Sequence, residues 1–100
     1  MRILWLPWSR RDLQSIRRYY TEVASKAVAD RRVHTIVHAA ERLLDHPFLG
    51  HPSERTQGVH ELQVGRLPYL LPYCVVGDRI EILRVFDESL PRPEEWSEQG

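Results

Sequence analysis

Residues 61–85, ELQVGRLPYLLPYCVVGDRIEILRV, decide the fold of this chain. Val75 and Val76 lead into Gly77-Asp78, and Ile80, Ile82 and Leu83 then resume the aliphatic pattern. That is the short-range signature of two antiparallel strands joined by a tight turn. Arg66 and Arg84 interrupt otherwise apolar stretches. A guanidinium loses too much hydration to be buried alone, so each must reach a rim, a carboxylate or a bound anion. Pro72 falls inside the first strand of the hairpin and has no amide hydrogen. Its position must therefore face an unpaired edge or sit at a bulge.

Upstream, a further strand spans about Val59 to Val64, with His60, Leu62 and Val64 on one face and Val59, Glu61 and Gln63 on the other. The stretch before it, 46–58, holds Pro47, Gly50, Pro52, Ser53 and Gly58, a loop composition. Two helical patterns precede that loop. The first opens at Ser9, whose side-chain oxygen suits an N-cap, with Asp12 placed to complement the free amides of the first turn. Its apolar positions Leu13, Ile16, Tyr20 and Val23 step by three and four, while Arg10, Arg11, Arg17 and Arg18 fall largely on other faces. After a break at 24–26, a second helix from about Ala27 to Asp45 sets Ala29, Val33, Ile36, Val37, Ala40, Leu43 and Leu44 on one stripe. Ile3 to Leu6, closed by Pro7, reads as a short first strand. Periodicity supports these elements and leaves the strand order open. The helical stripes and one sheet face must meet, because neither layer can bury its apolar surface alone.

One hundred residues enclose one modest core. Cys74 has no second cysteine to pair with, so an intrachain disulfide and a cysteine metal site are both excluded, and a reducing compartment fits. The opening MRILWLPW soon meets Arg10, Arg11 and Asp12, and no apolar run approaches the length of a membrane span. A cytoplasmic, membrane-free protein is expected. The net charge of zero is unevenly distributed: the last 14 residues hold five acids and one base. Setting these aside from the 14 of each leaves nine acids and 13 bases, about +4 for residues 1–86. A basic body suits an acidic protein segment, nucleic acid or a negatively charged enzyme surface, and the acidic tail could fold over part of it. Both could equally be ordinary solvated faces.

The hairpin block, followed by Phe86-Asp87 and preceded by two amphipathic helices, resembles the ParE/RelE family of small toxins from bacterial type II toxin-antitoxin pairs. Trp8-Ser9, Asp12-Leu13, Ile16 and Tyr19-Tyr20 match the spacing of that family's first helix. Leu43-Leu44, Pro47, Gly50 and Glu61-Leu62 then follow in the family's order, so the resemblance covers about residues 3 to 96. It implies an α+β fold in the order β-α-α-β-β-β, a helical hairpin packed across a small antiparallel sheet. It also implies a toxin domain over 1–86 and an acidic tail over 87–100 that docks on the body through Trp96. The partner implied is a cognate antitoxin in a toxin-antitoxin hetero-oligomer, its segment lying near Leu13, Ile16, Tyr20 and Trp96. Relatives poison DNA gyrase or cut messenger RNA on the ribosome.

Metal-free RNA cleavage needs a base for the ribose 2′-hydroxyl, an acid for the leaving oxygen, and positive charge on the phosphate. In the nuclease branch these roles fall to basic residues of the last strands and to a histidine or tyrosine just behind them. The matching arginines here are Arg66 and Arg84, but Asp87 stands where many relatives carry histidine, and His60 where they often carry arginine. A carboxylate at that point repels phosphate and is no acid at neutral pH at its ordinary pKa. A nuclease would have to draw on His60, Arg66, Tyr69 and Arg84, with Tyr73 and Glu61 near in sequence.

Each residue also has a structural reading. Arg84 either pairs with Glu61 or Asp87 across the sheet or contacts a target, while Arg66, at a turn before Leu67-Pro68, is the better exposed cation. Tyr69 and Tyr73 alternate on one strand face and suit a core with wet hydroxyls. His34 and His38 have the i, i+4 spacing of ligand pairs, with His46 and His51 in the loop beyond. Without a metalloprotease pattern they read as a polar helix face, and no metal or other cofactor is expected. Asp87, the lack of an evident base-acid pair and the near-neutral charge together favour a ParE-like binder of gyrase. The alternatives are a ribosome-dependent endoribonuclease and a toxin-fold protein that has kept only its binding partner.

Overall fold

The β4–β5 hairpin forms as its sequence dictates: Tyr69–Val76 (β4) pairs antiparallel with Arg79–Ile82 (β5), Val76 opposite Arg79. Gly77 alone supplies the positive φ of the two-residue turn, at 60°, as a II′ turn requires of its first central residue. The computed structural model describes residues 1–89 and Pro91, so the expected docking of Trp96 lies outside the described residues. The other elements are Arg2–Trp5 (β1), Pro7–Val23 (α1), Lys26–Glu41 (α2), a 3-10 turn over Arg42–Leu44, His51–Pro52 (β2), His60–Gln63 (β3) and Phe86–Asp87 (β6).

The sheet runs β1-β5-β4-β3-β2, with β6 also pairing to β4. The α+β class and the β-α-α-β-β-β succession hold, with β2 and β6 as two-residue additions. The sheet is mixed, however, not wholly antiparallel: β1 lies parallel to β5, Ile3 opposite Ile80 and Trp5 opposite Ile82. Strand direction at that edge follows from where the helical hairpin delivers the chain, which periodicity does not encode.

Helix α1 begins three residues earlier than expected. Pro7 occupies the first turn, where its missing amide hydrogen costs nothing, and Leu6 is the cap residue. Ser9 is buried inside that turn and its hydroxyl donates to the Leu6 carbonyl at 2.7 Å, so it is not the N-cap. Helix α2 is capped as a break at 24–26 implies, Ser25 Oγ accepting from the Val28 amide at 3.1 Å.

The core lies between α2 and one sheet face, where Ile36, Ala40 and Leu43 meet Leu62, Leu71, Tyr73, Ile80 and Ile82. Leu13 and Ile16 of α1 pack against this cluster while only half-buried. Pro72 lies in the interior strand β4, not at an edge, and beside it the facing chain carries a bulge. Tyr73 pairs with Ile82 and Leu70 with Phe86, three steps along one strand against four along the other. The Leu83 amide donates to the Pro72 carbonyl at 2.9 Å, and the extra residue falls in the Arg84–Val85 segment beyond it.

Candidate functional site

The bulge lifts Arg84 and Val85 out of the ladder, and Asp12 of α1 accepts the Val85 amide in place of a strand carbonyl while it pairs with the Arg84 side chain. Its carboxylate accepts from Arg84 Nε at 2.8 Å, from Arg84 Nη2 at 3.1 Å and from the Val85 amide at 2.8 Å. Arg84 therefore pairs with Asp12 in place of the Glu61 or Asp87 expected across the sheet. Its guanidinium carbon lies 4.7 Å from the Trp8 ring centroid and 5.0 Å from that of Phe86. Arg84 is 8 % exposed, and it lies in the segment between β5 and β6, not in a strand. Asp12 thus does more than complement the helix terminus, and nothing in local spacing marks it, because 72 residues separate it from Arg84.

Arg66 occupies the β3–β4 turn and is exposed, as its place before Leu67-Pro68 implies. Tyr69 is 1 % exposed and hydrogen-bonds to Tyr20, whose ring lies 4.9 Å from the guanidinium carbon of Arg32. Burial first, and then the Tyr20 hydrogen bond, push the Tyr69 phenol well above the ordinary tyrosine pKa. Tyr73 is equally buried; its hydroxyl donates to the Pro47 carbonyl at 2.8 Å and accepts from the Gly50 amide at 3.0 Å. Burial raises its pKa too, against the lowering effect of the Gly50 amide. His60 is half-buried between Phe48 and Tyr73, with ring centroids 5.3 and 5.7 Å away. Glu61 is buried on the neighbouring position, 3.7 Å from His51 Nε2.

Among the described residues, no hydrogen bond, ion pair or ring contact joins His60, Arg66, Tyr69 and Arg84 to one another. Tyr69 opens instead on a different feature, a groove of about 500 Å³. Ile16, Tyr19 and Tyr20 form its helical wall, with Tyr69, Asp87 and Ser89 opposite. Tyr19 is 56 % exposed and meets Tyr20 edge to face, centroids 5.0 Å apart. Asp87 Oδ1 accepts from the Ser89 amide at 2.9 Å and the Ser89 hydroxyl at 2.5 Å. His34 and His38 stack on the exposed face of α2, centroids 6.0 Å apart. No helix among the described residues is long and apolar enough to cross a membrane.

The family described as "ParE toxin of type II toxin-antitoxin system, parDE" matches residues 3–89. The chain is 38 % identical over 81 residues to Toxin RelE3 of Caulobacter vibrioides, covering 79 % of this chain and 85 % of that toxin. Among solved structures it is similar to a chain of the chromosomal ParDE toxin-antitoxin system from P. aeruginosa, with a TM-score of 0.78 and 30 % identity. That alignment covers 87 % of this chain and 95 % of the other. Its two helices on a mixed sheet, and the sequence that places them, make this chain a member of the ParE toxin family of type II toxin-antitoxin systems.

Proposed function

We propose that this toxin arrests growth in the cytoplasm by binding DNA gyrase, not by cutting messenger RNA. The observation that carries this reading is the state of the groups a nuclease would use. Tyr69 is buried with a raised pKa, Arg84 is held by Asp12 between two rings, and Asp87 closes the last strand with a carboxylate. A buried phenol whose pKa is pushed up is a poor base and cannot reach a ribose in water. Arg66 remains as an exposed cation free to meet an acidic surface on the target.

The antitoxin, the partner implied by the toxin-antitoxin family, is placed along α1. There Leu13 and Ile16 are half-buried, Tyr19 is exposed, and Ile16, Tyr19 and Tyr20 line the groove beside β6. Apolar burial drives such a contact and the basic body steers it. In a translating extract supplied with purified toxin, messenger RNA on ribosomes should stay intact. Codon-specific cuts there would overturn the binding mechanism and turn attention to His60, Arg66 and Arg84.

A further inference from the structure

The groove beside α1 carries one formally charged group among its described lining residues, and that group is Asp87. Only Oδ1 of its carboxylate is engaged, by Ser89, and Oδ2 has no hydrogen-bond or ion-pair partner among the described residues. The rest of the polar lining is tyrosine and serine, whose ring faces and hydroxyl oxygens also offer negative potential. Ile16 adds an apolar strip along the helical wall. A long cationic side chain is the ligand that such a surface fits: an aliphatic stem on Ile16, and a charged head on a carboxylate and an aromatic face.

The protein already uses half of this chemistry internally, since Arg32 rests over the Tyr20 ring at 4.9 Å. Arg32 lines a separate recess with Val28, Arg31, Thr35 and Leu67, and it is not part of the groove wall. We propose that the groove is a subsite for one lysine or arginine of the antitoxin, paired with Asp87 and packed against Tyr19. The proposal rests on the antitoxin lying along α1. It gives Asp87, which disfavours phosphate, a positive task in recognition. An acidic segment can meet the exposed Arg10, Arg11, Arg17 and Arg18 in many registers, whereas one cation on one carboxylate selects a single register.

The test has two arms. In the first, n-butylguanidinium is titrated into the isotope-labelled toxin, with 1-butanol as the uncharged control. Amide shifts should move at Tyr19, Tyr20 and Asp87 with the cation and not with the alcohol, and Asp87→Asn should abolish the response while the spectrum stays folded. No shift, or an equal shift with butanol, overturns the subsite. In the second arm, the product of the neighbouring reading frame is bound to wild-type toxin and to Asp87→Asn. Affinity should fall about tenfold, and the loss should vanish against one lysine or arginine substitution in the partner. Equal binding to both toxins overturns the proposal whatever the small cation does. A neighbour that binds neither toxin, beside a positive first arm, places the failure in the partner assignment and leaves the cation subsite standing.

Discussion

Asp12 and Arg84 form a two-point ion pair, at 2.8 and 3.1 Å, that ties the first helix to the bulge after β5. The same carboxylate also holds the Val85 amide, so one side chain closes a gap in the sheet that no strand fills. Arg84 Nη1 is buried without a hydrogen-bond partner among the described residues, which makes the pair intolerant of further loss.

Asp12→Ala should therefore be strongly destabilising. It strands a guanidinium and a backbone amide together, and breaking a buried pair from one side costs about 3 to 5 kcal/mol. The lower end applies, because 18 % of the Asp12 side chain remains exposed. Arg84→Ala should destabilise as well, by leaving the Asp12 carboxylate without its cation. Urea denaturation of the two variants and the double variant should show losses that are far from additive; additive losses would mean that the two residues do not act as a unit.

Gly50→Ala should destabilise through a close approach. A Cβ there would lie 2.6 Å from the Glu61 carbonyl oxygen and 2.8 Å from Tyr73 Cε1, and the backbone oxygen cannot swing aside. Overpacking of this kind costs about 1 to 3 kcal/mol. Tyr73→Phe touches the same locus from the other side, leaving the Gly50 amide unpaired at a cost of about 1 to 3 kcal/mol. Thermal melts of the two variants that match wild type would contradict this packing.

Much of this was legible in advance. Gly77-Asp78 between β-branched runs marks a hairpin because the turn needs a glycine and the strands need alternation. Pro72 marks an edge or a bulge because it has no amide hydrogen to place in a ladder, and only the pairing of β4 with the chain on both sides of Pro72 decides for the bulge. The Asp12 contact was not legible, since it depends on how α1 lies over the sheet and not on any local pattern. Ser9 misleads for a related reason: its preference for capping is outweighed by Pro7, which starts the helix earlier. Strand β2 hides in a segment of loop composition, and two residues are too few to show a period. Tyr20 reads as one more step of an apolar stripe, and only the packed structure brings its hydroxyl to Tyr69.

Stability should be sensitive to alkali. Tyr69 has a folded-state pKa raised above the ordinary value of about 10, so the folded protein holds its proton more tightly than the unfolded chain. The contribution is intact below about pH 10 and is lost as the pH climbs toward the folded-state value. Tyr73 adds in the same direction. Urea midpoints between pH 8 and 11 should stay level at first and then fall, and Tyr69→Phe should flatten that fall. An unchanged slope in Tyr69→Phe would remove Tyr69 as its source.

Arg66→Ala should leave the fold alone and abolish toxicity. The side chain is exposed in a turn, where substitutions usually change stability by no more than about 0.5 kcal/mol. A growth assay beside a melting curve separates the two properties. A variant that melts like wild type and still arrests growth would remove Arg66 from the target contact.

The most direct measurement is supercoiling of relaxed plasmid by purified DNA gyrase with increasing amounts of the toxin. Supercoiling should fall as toxin approaches the enzyme concentration, with cleaved DNA trapped, and the cognate antitoxin should restore it. Full supercoiling in the presence of excess toxin, from a preparation that arrests growth in cells, would contradict gyrase as the target.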